Sequence, residues 1–98
     1  MKLIYTTQAF DLWFGSLKDK LAARRIQARI DRAEEGNFGD HKAVGEGVYE
    51  MREHFGPGWR MYYIQRGSVL IVMLGGGDKS TQTADIAKAV KLAAMIEE

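Results

Sequence analysis

The chain has 98 residues, 46% of them apolar and 28% charged, with no cysteine and with 14 Lys and Arg set against 13 Asp and Glu. That length suits one domain over residues 1–98, and the apolar content is that of a folded chain, which excludes a disordered segment. The missing cysteine excludes disulfide and thiolate chemistry and fits a reducing compartment, and no apolar run reaches the length of a secretory or membrane-spanning segment, so the expectation is a cytoplasmic protein with no membrane partner.

In chain order, Lys2 to Thr6 has the β-branched and aromatic character of a short strand. Thr6 or Thr7 can cap a helix over Gln8 to Lys18, in which Phe10, Trp13, Phe14 and Leu17 recur at three and four. Asp19 can cap a second helix with Ala22, Ile26, Ile30 and Ala33 as its buried stripe, ended by Gly36-Asn37. Arg24, Arg25, Arg29 and Arg32 fall on its other faces. They form either a solvated surface paired with Asp31 or Glu35, or a contact for a large anionic surface such as ribosomal RNA. Acidic residues gather at Glu34, Glu35, Glu97 and Glu98, so a basic face is compatible with a net charge of +1.

Asn37 to Gly47, glycine-rich with polar neighbours, marks a loop, and His41 within it reads as solvated. Periodicity then changes. Val48 to Phe55, Trp59 to Arg66 and Ser68 to Leu74 read as three strands of an antiparallel meander, separated by Gly56-Pro57-Gly58 and by a tight turn at Arg66-Gly67. The run from Val69 to Leu74 is apolar throughout, which predicts a central strand covered on both faces. After Gly75-Gly76-Gly77, Asp78 or Thr81 can cap a last helix with Ile86, Ala89, Val90, Ala93 and Ile96 spaced for burial. The three glycines followed by Lys79 are not a nucleotide-binding P-loop, because that motif places Gly directly before the Lys and here Asp78 stands there. The expected class is α+β in the order β-α-α-β-β-β-α, with a helical hairpin and a C-terminal helix packed on an antiparallel sheet.

Alternation puts Tyr49, Met51, Trp59, Met61 and Tyr63 toward the helices and Glu50, Arg52, His54, Arg60 and Tyr62 on the opposite side, with Lys79 and Gln82 at the rim. Arginine forks suit phosphate oxygens and tyrosine offers a stacking plane, so the set suits single-stranded RNA. A phosphodiester can be cut without metal if a group of near-neutral pKa takes the 2′-hydroxyl proton while cations hold the developing charge. His54 is the candidate base, Lys79 a second one, and Arg52 and Arg60 the clamp. The bland reading stands beside this: Glu50, Arg52 and Arg60 can simply pair with one another across strands. Two distant histidines and no cysteine fall short of a metal-ligand set, so neither metal nor cofactor is expected.

Four segments, Gly36-Asn-Phe-Gly-Asp40, Gly47-Val-Tyr-Glu-Met-Arg52, Phe55-Gly-Pro-Gly-Trp-Arg-Met-Tyr-Tyr63 and Leu74-Gly-Gly-Gly-Asp-Lys-Ser-Thr-Gln82, taken in this order, resemble the RelE/ParE toxin superfamily. The chain is most similar to its HigB-like "addiction module killer protein" branch of type II toxin–antitoxin systems. That resemblance implies a microRNase-like fold with helices on one side of an antiparallel sheet. It implies a cognate antitoxin, of helix-turn-helix type, through which alone operator DNA is met. It also implies metal-independent cleavage of mRNA on the ribosome. Under it, Arg60 matches the superfamily's strand arginine, Arg52 a position often basic, and Lys79 a place where other members carry Arg, Tyr or His. His54 has no counterpart there and rests on its chemistry alone. Catalytic roles are thus expected for Arg60, Lys79, Arg52 and His54, and RNA contacts for Tyr62, Gln82, Arg25 and Arg29. ParE-type relatives share the fold but inhibit DNA gyrase, and a decayed toxin would keep only antitoxin and DNA binding.

Overall fold

The computed structural model describes residues 1–96; Glu97 and Glu98 of the acidic groups lie outside the described residues. The elements are β1 (Leu3–Thr6), α1 (Gln8–Gly15), α2 (Lys20–Glu34), β2 (His41–Gly45), β3 (Val48–Arg52), β4 (Trp59–Arg66), β5 (Leu70–Asp78), a 3-10 turn (Lys79–Thr81) and α3 (Gln82–Met95). The helix starts follow local chemistry. Thr7 accepts from the Phe10 amide at 3.1 Å, and Asp19 accepts from the amides of Leu21 and Ala22, each cap satisfying donors that the first helical turn leaves free.

Five strands form one sheet in the order β1-β5-β4-β3-β2. Two expectations are corrected here. The segment after α2 is not all loop, because His41–Gly45 pairs antiparallel with β3 as an edge strand. Its exposed side chains gave no apolar alternation to read, and the strand exists because β3 offers a free edge. Glu46 and Gly47 both take positive φ, as the tight turn joining two such strands requires. The sheet is also mixed rather than antiparallel, since β1 runs parallel to β5, with Leu3 opposite Leu70 and Thr6 opposite Met73.

A third correction bears most on function. The hairpin α1/α2 covers one face of the sheet, where Phe10, Ile26, Ile30 and Ala33 meet Met51, Met61, Tyr63, Ile71 and Met73. The opposite face is covered by α3, whose Ala89 and Ala93 join Val48, Tyr62, Ile64, Val72 and Leu74. Helices therefore lie on both sides, and the face expected to be open to RNA is largely roofed. The apolar run of β5 is explained by this: it is an interior strand, between β1 and β4, and is covered twice.

The glycines now have a reason. β5 does not stop at Leu74 but continues through them to Asp78. A Cβ on Gly76 would stand 2.4 Å from the Trp13 ring of α1, and one on Gly77 would stand 1.9 Å from Asp85 Oδ2 of α3. Only bare backbone lets both helices approach the strand so closely. Asp78 then caps the 3-10 turn, accepting from the Ser80 hydroxyl and, at 2.8 Å, from the Ser80 amide, and these bonds hold its carboxyl below the usual range.

Candidate functional site

Antiparallel register brings one end of four elements into line. Arg52 pairs directly with Arg60 across β3 and β4, and Arg60 with Gly77 across β4 and β5. Beyond the start of β2, the Arg52 amide donates to the Asp40 carbonyl at 2.9 Å. Residues distant in sequence thus share one edge of the molecule: Asp40, Arg52 with His54 just past it, Arg60, and Lys79 just past Asp78.

The exposed part of this edge is organised by Asp40. Its Oδ1 accepts from Arg52 Nη2 at 2.7 Å and from Nε at 3.3 Å, while its Oδ2 receives His54 Nε2. The Arg52 guanidinium, and then His54, hold the Asp40 carboxyl down to about 2, and Asp40 in return raises the pKa of Arg52. A carboxylate only accepts, so Nε2 carries the proton in this pair and a neutral His54 has Nδ1 as its acceptor. The His54 side chain is 70% exposed. An accessible imidazole acceptor, oriented by a carboxylate that it shares with Arg52, can take a proton from a hydroxyl.

Arg60 lies deeper, only 7% exposed, under the N-terminal end of α3. Its Nε is 3.9 Å from Glu50 Oε1, and both atoms are buried without a hydrogen bond. Nη1 donates to the Trp59 carbonyl at 3.3 Å. The guanidinium ends beside Gly58: a Cβ there would be 3.6 Å from Arg60 Nη1 and 3.4 Å from Lys79 Cβ, so Arg60 and the exposed Lys79 converge on the Gly56-Pro57-Gly58 turn. Gly58, at φ 80°, sits in the left-handed region that favours glycine.

Three of the expected RNA contacts are turned inward instead. Tyr62 is fully buried beneath α3, so it offers no stacking plane; burial, with Glu50 beside it, pushes its phenol pKa up. Gln82 is committed inward, donating to Glu50 Oε2 at 2.8 Å. Arg29 is 4% exposed and lies inside the protein rather than on a solvated helix face. Its Nη1 donates to the Arg52 carbonyl and, at 2.7 Å, to Glu53 Oε2, and its Nη2 donates to the carbonyls of Phe38 and Asp40 at 2.9 and 3.0 Å. Arg25 does stay exposed, with its guanidinium carbon 4.4 Å from the centroid of the Phe55 ring, a cation–π contact next to His54.

Sequence reasoning missed Asp40 as a site residue and the burial of Arg29. The second had a readable signal: Ala22, Ile26, Arg29 and Ala33 follow a spacing of four, three and four, which is the core stripe of α2. Among the described residues no group of three or more His, Asp or Glu side chains could hold a metal ion, and no helix is long and apolar enough to cross a membrane. An apolar groove of about 510 Å³ lined by Tyr5, Leu70, Val72 and Ile96 lies toward the other end of β5, away from this edge.

No protein-family model matches the chain. It is similar to a protein of Haemophilus influenzae described only as uncharacterized, with 48% identity over 90 residues that span 92% of this chain and 91% of that one. The chain belongs to the family of that Haemophilus influenzae protein.

Proposed function

We propose that the protein is the toxin of a type II toxin–antitoxin module, of the RelE/ParE kind and its HigB-like branch, and that it cuts mRNA on the ribosome without a metal ion. The observation that carries this reading is the edge on which His54, held by Asp40, stands beside Arg52 and near the converging Arg60 and Lys79. His54 Nδ1 takes the 2′-hydroxyl proton. The freed oxygen bonds to phosphorus, the bond from phosphorus to the 5′ oxygen breaks, and that oxygen takes a proton from solvent. Arg52 and Lys79 hold the charge that builds on the phosphoryl oxygens, and Arg60 adds its positive field from beneath. Arg25 with Phe55, not Tyr62, supplies the aromatic surface beside the scissile link.

The four motif segments and the β-α-α start followed by a meander favour the RelE/ParE kinship, while α3 on the far face departs from a fold with helices on one side. A cytoplasmic location, a cognate helix-turn-helix antitoxin and contact with operator DNA only through it belong to the same proposal. Expression without antitoxin should arrest growth, and His54→Ala with Lys79→Ala should abolish the arrest while the unfolding free energy stays within about 0.5 kcal/mol, both residues being exposed. Equal arrest by the folded double variant would reject the site.

A non-catalytic gyrase inhibitor is the second reading, favoured by Leu12 and Leu21, which stand 68% and 50% exposed on the helical hairpin. Growth arrest that survives the double variant but is lost in Leu12→Ser with Leu21→Ser would favour it. Growth that no form of the chain arrests would point instead to a decayed toxin kept for antitoxin and DNA binding.

A further inference from the structure

A buried arginine with four oxygen partners is a large commitment for a domain of this size, and those partners are not spread at random. Two are on the turn before β2, the Phe38 and Asp40 carbonyls, and two are at the end of β3, the Arg52 carbonyl and the Glu53 carboxylate. One guanidinium therefore ties together the two backbone segments that carry Asp40, Arg52 and His54. The turn is shaped for it: Gly39 takes φ 61°, and a Cβ there would meet Arg29 Nη2 at 3.1 Å. Asp40 then uses its two carboxylate oxygens on different groups, Oδ1 for Arg52 and Oδ2 for His54.

We infer that Arg29 and Asp40 form one positioning device, in which Arg29 fixes the 38–40 turn against the end of β3 so that Asp40 keeps the His54 ring oriented with Nδ1 as the free acceptor. Neither residue touches RNA in this scheme. Both are positioning residues for His54, and the catalytic value of that role rests on the endonuclease reading, whereas the orientation itself does not. The chemistry follows from donor and acceptor counting. A neutral imidazole has one donor and one acceptor, and an ionised Asp40 claims the donor at Nε2. Arg29 cannot be replaced by lysine without loss, because a single ammonium lacks the planar fork that reaches two segments at once.

The test reads the ring directly. Imidazole nitrogen shifts of the full chain, at a pH where His54 is neutral, should show the Nε2–H form in about tenfold excess or more, as a hydrogen bond to a charged acceptor implies. Asp40→Asn and Arg29→Lys should each bring the two tautomers to within about threefold of one another, a loss of most of that bias. Ile30→Val, on the same helix and equally buried, should lower stability and leave the ring untouched. If Arg29→Lys does not fold, Gly39→Ala disturbs the same clamp more gently and should show the same loss of bias. An Nδ1–H ring in the unaltered chain, or an Nε2–H ring that persists in whichever clamp variant folds, would overturn the inference. The endonuclease reading fails separately, by absence of RNA cuts, whatever the tautomer.

Discussion

On the hairpin face of the sheet, Arg29 is buried with each of its two terminal nitrogens donating to two oxygens. On the α3 face, Arg60 is buried almost as deeply, yet its Nε and the facing Glu50 Oε1 stand 3.9 Å apart with no hydrogen bond on either atom. The two guanidiniums differ in what holds them. Both terminal nitrogens of Arg29 are paired with oxygen acceptors, whereas Arg60 belongs to a looser set with Glu50, Tyr62 and Gln82 beneath the start of α3. A well-paired buried network holds its segments in one arrangement, while a partly paired one holds them less firmly. The hairpin face thus builds the edge, and the α3 face leaves a positive charge beside it.

That contrast can be broken in order of expected size. Arg29→Ala should cost about 3–5 kcal/mol, the usual penalty for removing one partner of a buried pair, as read from denaturant midpoints. Arg60→Met should cost less, about 1–3 kcal/mol, because Glu50 keeps its bond from Gln82, and adding Glu50→Gln should restore much of the loss. If Arg60→Met proves as damaging as Arg29→Ala, the two faces are not different in kind.

A finer comparison uses two neighbouring glycines of β5. Gly76→Ala must displace the Trp13 ring and should cost about 1–3 kcal/mol, while a Cβ on Gly75 meets nothing within 4 Å, so Gly75→Ala should be neutral or stabilising by up to about 1 kcal/mol. Equal effects would mean that the packing of α1 on the strand is not what the glycines serve.

The smallest effect concerns pH. The folded chain keeps the Asp40 carboxylate ionised to lower pH than the unfolded chain, where aspartates titrate near about 4, so protons bind the unfolded state first as pH falls. Asp40's contribution to stability should be complete above pH about 4 and disappear toward pH 2. Asp40→Asn should flatten that part of the acid-unfolding curve.

Much of the architecture was legible because it rests on periodicity. Spacing of three and four identified α1, α2 and α3, and the apolar run of β5 already required cover on both faces. That requirement was not carried through to α3: alternation alone grouped Tyr62 with Arg52 as if their side of the sheet were open, whereas α3 lies opposite the hairpin and buries Tyr62. β2 was not legible, since a polar edge strand exists only through its partner. Nor was Asp40, whose role depends on a turn held by Arg29 from another element. Charged side chains were found by type, but whether each faces water or the core was decided by tertiary contacts that local pattern does not carry.

The most direct measurement is a map of transcript 5′ ends after brief induction of the chain without antitoxin, beside a folded His54→Ala control. If the edge bearing Asp40, His54, Arg52 and Lys79 cuts RNA, new 5′ ends appear inside translated messages and vanish in the control. Growth arrest with no new ends, or with the same ends in His54→Ala, would contradict an RNA-cutting role for this edge.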